Sequence, residues 1–143
     1  MDLLNALSVP RGLATFPRKW LKANCQTSDN VGDCVYITGG MVGEFYQVTK
    51  VDPADQSKMP AVGIITSKKG PTECRVQFLG EIKNIYSLMT PGKLLFIGSD
   101  GRLNETPPLP LPSGYVFVQP MAVVASSTVL VVAPALLLTK RVG

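Results

Sequence analysis

The chain contains no histidine. That absence removes the Ser-His-Asp and Cys-His constellations of nucleophilic catalysis and every imidazole-ligated metal site. Cysteine is scarce as well. Cys25, Cys34 and Cys74 are odd in number and show no CxxC spacing, which argues against a disulfide framework and lends no support to a thiolate metal site. Their simplest reading is reduced thiols, with Cys34 and Cys74 as small apolar strand residues. Neither GxxxxGK[ST] nor a GxGxxG entering a helix occurs, and Gly39-Gly40 and Gly43 fit no phosphate-binding pattern. A secretory leader is not expected, because Asp2 stands where a basic n-region belongs and Pro10, Arg11 and Pro17 interrupt any apolar run. Most of the ten carboxylates fall in turn-like contexts, Asp29, Asp52, Asp55 and Asp100 among them. They read as solvated turn residues rather than a catalytic pair. The chain is therefore expected to be no enzyme, with no cofactor, no metal and no small-molecule substrate.

What is present is a single-domain length of 143 residues, 45% apolar and only 17% charged. That balance argues against disorder and hints at apolar surface shared with a partner or a second copy. The net charge of +4 is unevenly placed. Residues 1–25 carry Arg11, Arg18, Lys19 and Lys22 against Asp2, and the remaining residues are close to balance.

The pattern divides the chain into an N-terminal arm and linker (1–30), a β body (31–134) and a C-terminal tail (135–143). In the arm, Leu3, Leu4 and Leu7 would share one face of a short helix ended by Pro10-Arg11-Gly12. Pro17 would start a second short helix running to Ala23. Neither is long enough to be stable alone, so each must dock on something. Trp20, the sole tryptophan, is either an interface anchor or a plain core residue.

The body reads as short strands between turns. Asp33–Thr38 is followed by a Gly39-Gly40 turn, and Met41–Val51 and Ala61–Ser67 come next. Glu73–Ile82 alternates strictly, Val76, Phe78 and Ile82 opposing Arg75, Gln77 and Glu81, with a bulge or bend expected at Gly80. Ile82–Met89 fits a helical turn as well as a strand. Lys93–Gly98 leads into the hairpin signal Ser99-Asp100-Gly101-Arg102. Four prolines between Thr106 and Pro112 mark an extended surface loop. Met121–Thr139 lacks charge and precedes Lys140-Arg141, like a membrane anchor. Its valines, its Ser126-Ser127-Thr128 break and Pro134 instead indicate two strands, Tyr115–Ala125 and Thr128–Ala133, joined by a Ser-Ser turn. No membrane contact is expected. The fold class is all-β: a small antiparallel β-barrel or β-sandwich of about eight short strands, with an extended, partly helical N-terminal arm.

Two partner classes remain. A single-stranded nucleic-acid binder could stack bases on Tyr36, Phe45, Tyr46 and Phe78, but the body's nearly balanced charge offers no basic stripe along the chain. A protein surface is the better partner for the arm, because apolar residues accompany its charges. The candidate partner-binding residues are Leu3, Leu4, Leu7, Arg11, Phe16, Arg18, Lys19, Trp20 and Lys22.

The stretch Val31-Gly32-Asp33-Cys34-Val35-Tyr36-Ile37-Thr38-Gly39 resembles a recurrent element of tailed-bacteriophage virion proteins, in which a GD-x-V-Y strand opens a small β domain. The likeness continues through Pro60–Ile65, Arg75–Ile82, Thr90–Leu103 and Val118–Leu130. It covers roughly residues 31–133; the arm has no counterpart, and Pro120 departs from the pattern. The resemblance implies a capsid decoration (cement) protein that binds and stabilises the shell, its arm gripping the major capsid protein or neighbouring subunits. It also implies a homo-oligomer, a trimer suiting the quasi-threefold positions of an icosahedral lattice. The expected location is the virion, at the capsid surface, after assembly in the host cytoplasm. A neck, head-fibre or tail-fibre adaptor and the single-stranded nucleic-acid-binding barrel stay open beside it.

Overall fold

The computed structural model describes residues 19–143. These are all-β. The strands are β1 (Trp20–Asn24), β2 (Cys34–Val42), β3 (Phe45–Lys50), β4 (Gly63–Lys68), β5 (Glu73–Gln77) and β6 (Gly80–Lys83). They continue as β7 (Leu94–Ile97), β8 (Leu103–Asn104), β9 (Tyr115–Val118), β10 (Pro120–Ser126), β11 (Val129–Val132) and β12 (Thr139–Val142). A single 3-10 turn, Gln56–Lys58, is the one helical element among the described residues.

The strands form three sheets. In the first, β1 pairs with both β3 and β5, so the order β1-β3-β2-β4-β5 returns to its start as a ring. The second has the order β6-β11-β10-β7-β8, and β12 pairs with β9 in the third. All pairings are antiparallel except β1 with β3.

Two cores follow from this layout. Inside the ring lie Ala23, Cys25, Val35, Val48, Ile65, Cys74 and Val76. These are mostly small, as the narrow interior of a five-strand ring requires. The larger core lies between the ring and the second sheet and holds Ile82, Leu95, Ile97, Phe117, Met121, Leu130 and Val132. Strands β2 and β4 are the wall between them. Cys34 and Ile64 face the larger core, while their neighbours Val35 and Ile65 face the ring interior. A strand covered on both faces loses its polar alternation, hence the unbroken apolar run ending in Ile64-Ile65. Gly63 sits where this wall presses on β5: a Cβ there would lie 2.5 Å from the Gln77 carbonyl oxygen.

Several expectations need correction. The helix from Pro17 does not extend through Trp20–Ala23, which is strand β1. Its apolar residues alternate, Leu21 packing on the ring core that holds Ala23 and Cys25, so the arm's end belongs to the ring. The 135–143 tail likewise contains β12, paired along its length with β9. Gly39-Gly40 is no turn. Strand β2 runs through it with two register shifts, and the chain reverses at Gly43-Glu44 between the paired Val42 and Phe45. Gly43 at φ +60 supplies the positive φ that a two-residue loop needs at its first position. The single alternating run Glu73–Ile82 is two strands in different sheets, parted at Gly80 with φ +89. The hairpin at Ser99–Arg102 and the β10–β11 pair joined through Ser127 lie where expected, and Pro120 sits at a register shift against β7. No described helix is long and apolar enough to cross a membrane.

Candidate functional site

The Gly32-Asp33 pair forms a buried bolt between the ring and the β7–β8 hairpin. Asp33 is 1% exposed. Its carboxylate accepts hydrogen bonds from the Arg102 guanidinium at 3.1 Å and the Asn30 backbone N–H at 2.8 Å, with the Lys50 ammonium 3.7 Å away. The same Arg102 nitrogen donates to the Val31 carbonyl at 3.1 Å. Gly32 is at φ +96, and a Cβ there would lie 2.5 Å from Arg102 Nη2, so only glycine lets the guanidinium in. The Tyr86 hydroxyl donates to the Gly32 carbonyl and accepts from the Leu103 N–H at 3.0 Å. Burial, with the neighbouring Cys34 next, pushes the Tyr86 hydroxyl well above its ordinary range. Burial, with Asp33 next, does the same to the Cys34 thiol. Both groups are held protonated.

Asp29, a turn residue, is not solvated as its sequence context suggests. It is 2% exposed and accepts from Gln26 N–H at 2.8 Å, Thr49 Oγ1 at 2.9 Å and Lys50 N–H at 3.2 Å. Its partners lie in β3 and the 26–30 turn, so it ties that turn to the ring. With their oxygens committed in this way, Asp29 and Asp33 are structural. Gln119, fully buried between β9 and β10, exchanges two hydrogen bonds of 2.8 Å with the backbone N–H and carbonyl of Ala61.

Of the candidate partner-binding residues, Leu3, Leu4, Leu7, Arg11, Phe16 and Arg18 lie outside the described residues. Lys19 is exposed and lends its carbonyl to the Phe78 N–H at 2.9 Å. Trp20 and Lys22 point to the outer side of β1 and come together in a cleft of about 550 Å³. Residues that sequence reasoning had not joined line it with them: Phe45 from β3, Lys68 from the end of β4, Lys69 from the turn after it, and Glu73 and Arg75 from β5. The Arg75 guanidinium sits 3.8 Å over the Trp20 ring, a cation–π contact. Lys22 pairs with Glu44 at 2.6 Å, and Lys68 donates to the Asp29 carbonyl at 2.7 Å.

The aromatic set proposed for base stacking is dispersed. Tyr36 packs on the larger core and Tyr46 on the ring core. Phe78 lines an apolar hollow with Leu21, Val62, Pro134 and Leu136, and only Phe45 reaches the basic cleft.

The outer face of the second sheet is different. Val123 is paired with Leu94 on one side and Val131 on the other. All three are exposed, at 42% for Leu94, 46% for Val123 and 45% for Val131. They make an in-register apolar row across β7, β10 and β11, ending at Glu81 of β6. Three aligned aliphatic side chains make a contiguous exposed apolar patch.

Among known proteins the chain matches no family model, and no curated protein or solved structure matches it.

Proposed function

We propose that this protein is a non-enzymatic structural subunit of a tailed-phage virion, binding and stabilising the capsid shell as a decoration or cement protein. Its body is of the small β-barrel kind, extended by the second sheet. The observation that carries the reading is the apolar row Leu94–Val123–Val131, on a body whose buried carboxylates all serve the fold. The row is the contact between copies in a homo-oligomer, a trimer suiting the threefold positions of a shell. The segment ahead of Trp20, with Leu3, Leu4, Leu7, Arg11, Phe16 and Arg18, grips the major capsid protein. The resemblance at Val31–Gly39 supports the virion setting.

Quantitative mass spectrometry of purified particles tests this. A copy number near that of the major capsid protein is expected. A handful of copies per particle would replace the shell role with that of a neck or fibre adaptor, and absence from particles would overturn the virion reading altogether.

A further inference from the structure

We infer that the apolar hollow at one mouth of the ring is the seat of Phe16 from the same chain, a contact that latches the N-terminal segment to the body. This goes beyond the shell role and does not rest on it. Register places the hollow. Trp20 of β1 and Ile64 of β4 both pair with Gln77 of β5, so β1 and β4 begin, and β5 ends, at one end of the ring. Leu21, Val62 and Phe78 line the hollow from these three strand ends, and all three are only half-buried. Pro134 and Leu136, from the link between β11 and β12, complete the lining. Leu136 is 61% exposed. No lining side chain carries a charge or a hydrogen-bonding group. The volume is about 300 Å³, at the lower end of the roughly 300–1,000 Å³ usual for ligand pockets. A polar ligand would find no side-chain partner there, whereas one large apolar side chain would fit.

The occupant follows from where the N-terminal segment joins the body. The described residues start at Lys19. Its carbonyl accepts the Phe78 N–H at 2.9 Å, and its side chain lies along Gly80, where a Cβ would be 3.2 Å from Lys19 Cδ. The β1–β5 ladder thus runs on to Lys19, and residues 1–18 join the body at the rim of the hollow. Phe16 stands three residues before Lys19 and is the sole aromatic ahead of it. At roughly 3.3–3.6 Å per residue its reach is about 10 Å. A tether this short holds its end at an effective concentration in the millimolar range, which a second copy or a separate partner does not match in dilute solution. The seat also covers an anchor. Phe16 is one of the residues proposed to grip the shell, so a partner that engages it must first draw it out of the hollow. Leu3, Leu4 and Leu7, farther from Lys19, are left to make the first contact.

Methyl NMR of the full chain in dilute solution tests the seat. Nuclear Overhauser contacts are expected between the Phe16 ring and the methyls of Val62 and Leu136. Phe16→Ala should abolish them and shift both methyl signals through loss of the ring current, while Leu7→Ala should leave them in place. Leu136→Asp sets a charge on the exposed rim, and should abolish the Phe16–Val62 contact with the circular dichroism spectrum intact. Absence of these contacts in the unsubstituted chain would overturn the inference, as would methyl signals that Phe16→Ala does not move. Contacts found only between labelled and unlabelled copies in a mixed sample would overturn it in favour of a neighbouring copy's segment. All of these outcomes are read on the isolated protein, so none depends on how many copies a particle carries.

Discussion

The ring and the five-stranded sheet are built from the same alternation of inward and outward residues, yet they use their outer faces in opposite ways. Outward positions of β1 and β5 carry Trp20, Lys22, Glu73 and Arg75. Outward positions of β7, β10 and β11 carry Leu94, Val123 and Val131. The insides differ too. The ring encloses alanine, cysteine, valine and one isoleucine, whereas the sheet covers leucine, methionine, phenylalanine and isoleucine. Closure explains the second difference, since a ring bounds its own interior while an open sheet takes whatever packs against it. The first difference is not required by folding, because either face could be polar. It leaves one outer face charged and the other apolar.

The sharpest way to break the comparison is at β1. Deleting residues 1–25 would remove Ala23 and Cys25 from the ring core along with the whole pairing to β5. The truncated chain should lose its cooperative thermal transition. Deleting residues 1–18 should keep that transition while abolishing attachment to particles, and normal attachment would remove the arm from the proposed role.

A smaller blow falls on the bolt that joins the two regions. Asp33→Ala strips Arg102 and the Asn30 N–H of a buried acceptor, and should cost about 3 kcal/mol in urea denaturation. Gln119→Ala leaves the Ala61 N–H and carbonyl unpaired in the larger core, at a cost of about 2 kcal/mol. Unchanged midpoints in both variants would mean that ring and sheet stand independently.

Alkali sharpens the comparison from the ring side. Burial, with Cys25 beside it, pushes the Cys74 thiol up to about 12. The Cys34 thiol on the shared wall is raised by burial too. The unfolded chain releases these protons near pH 9.0, where the native state still holds them. Their contribution is complete below that point and is lost as pH rises toward the folded values. Urea midpoints should therefore drop between about pH 8 and about pH 10.5, with a smaller drop in Cys74→Ala. An equal drop in that variant would shift the effect away from the ring interior.

The mildest change is Val123→Lys. Folding stability should move by less than about 0.5 kcal/mol, while the sedimentation coefficient should fall to that of a monomer. Unaltered sedimentation would remove the apolar row from the oligomer contact.

Strand class and the two C-terminal hairpins were legible because each rests on local signals, turn residues and period two, whereas Gly80 showed only a bend and not a change of sheet. Strand β1 was harder. Leu21, Ala23 and Cys25 alternate correctly, but Pro17 and the helix-forming Lys-Trp-Leu-Lys-Ala pointed to a helix, and pairing with β5 about fifty residues later decides the matter. About eight strands were expected and twelve are present: the chain changes sheets at Gly80 and again at Gln119, inside runs whose alternation hardly falters, and β1 and β12 lie in segments read as arm and tail. Asp29 looked like any turn carboxylate, since its partners Thr49 and Lys50 are twenty residues away. The cleft was invisible for the same reason. Its side chains come from four strands and one turn, and only register brings them together.

Strand β1 also sets how the molecule would carry a mechanical load. A pull on the segment ahead of Trp20 would run along β1, whose five residues are all paired with β5. The hydrogen bonds of that ladder lie across the strand, so the pull would strain them together in shear instead of opening them one at a time from an end. A load entering through the N-terminal segment would thus be shared by the whole ladder and pass through β5 into the rest of the body.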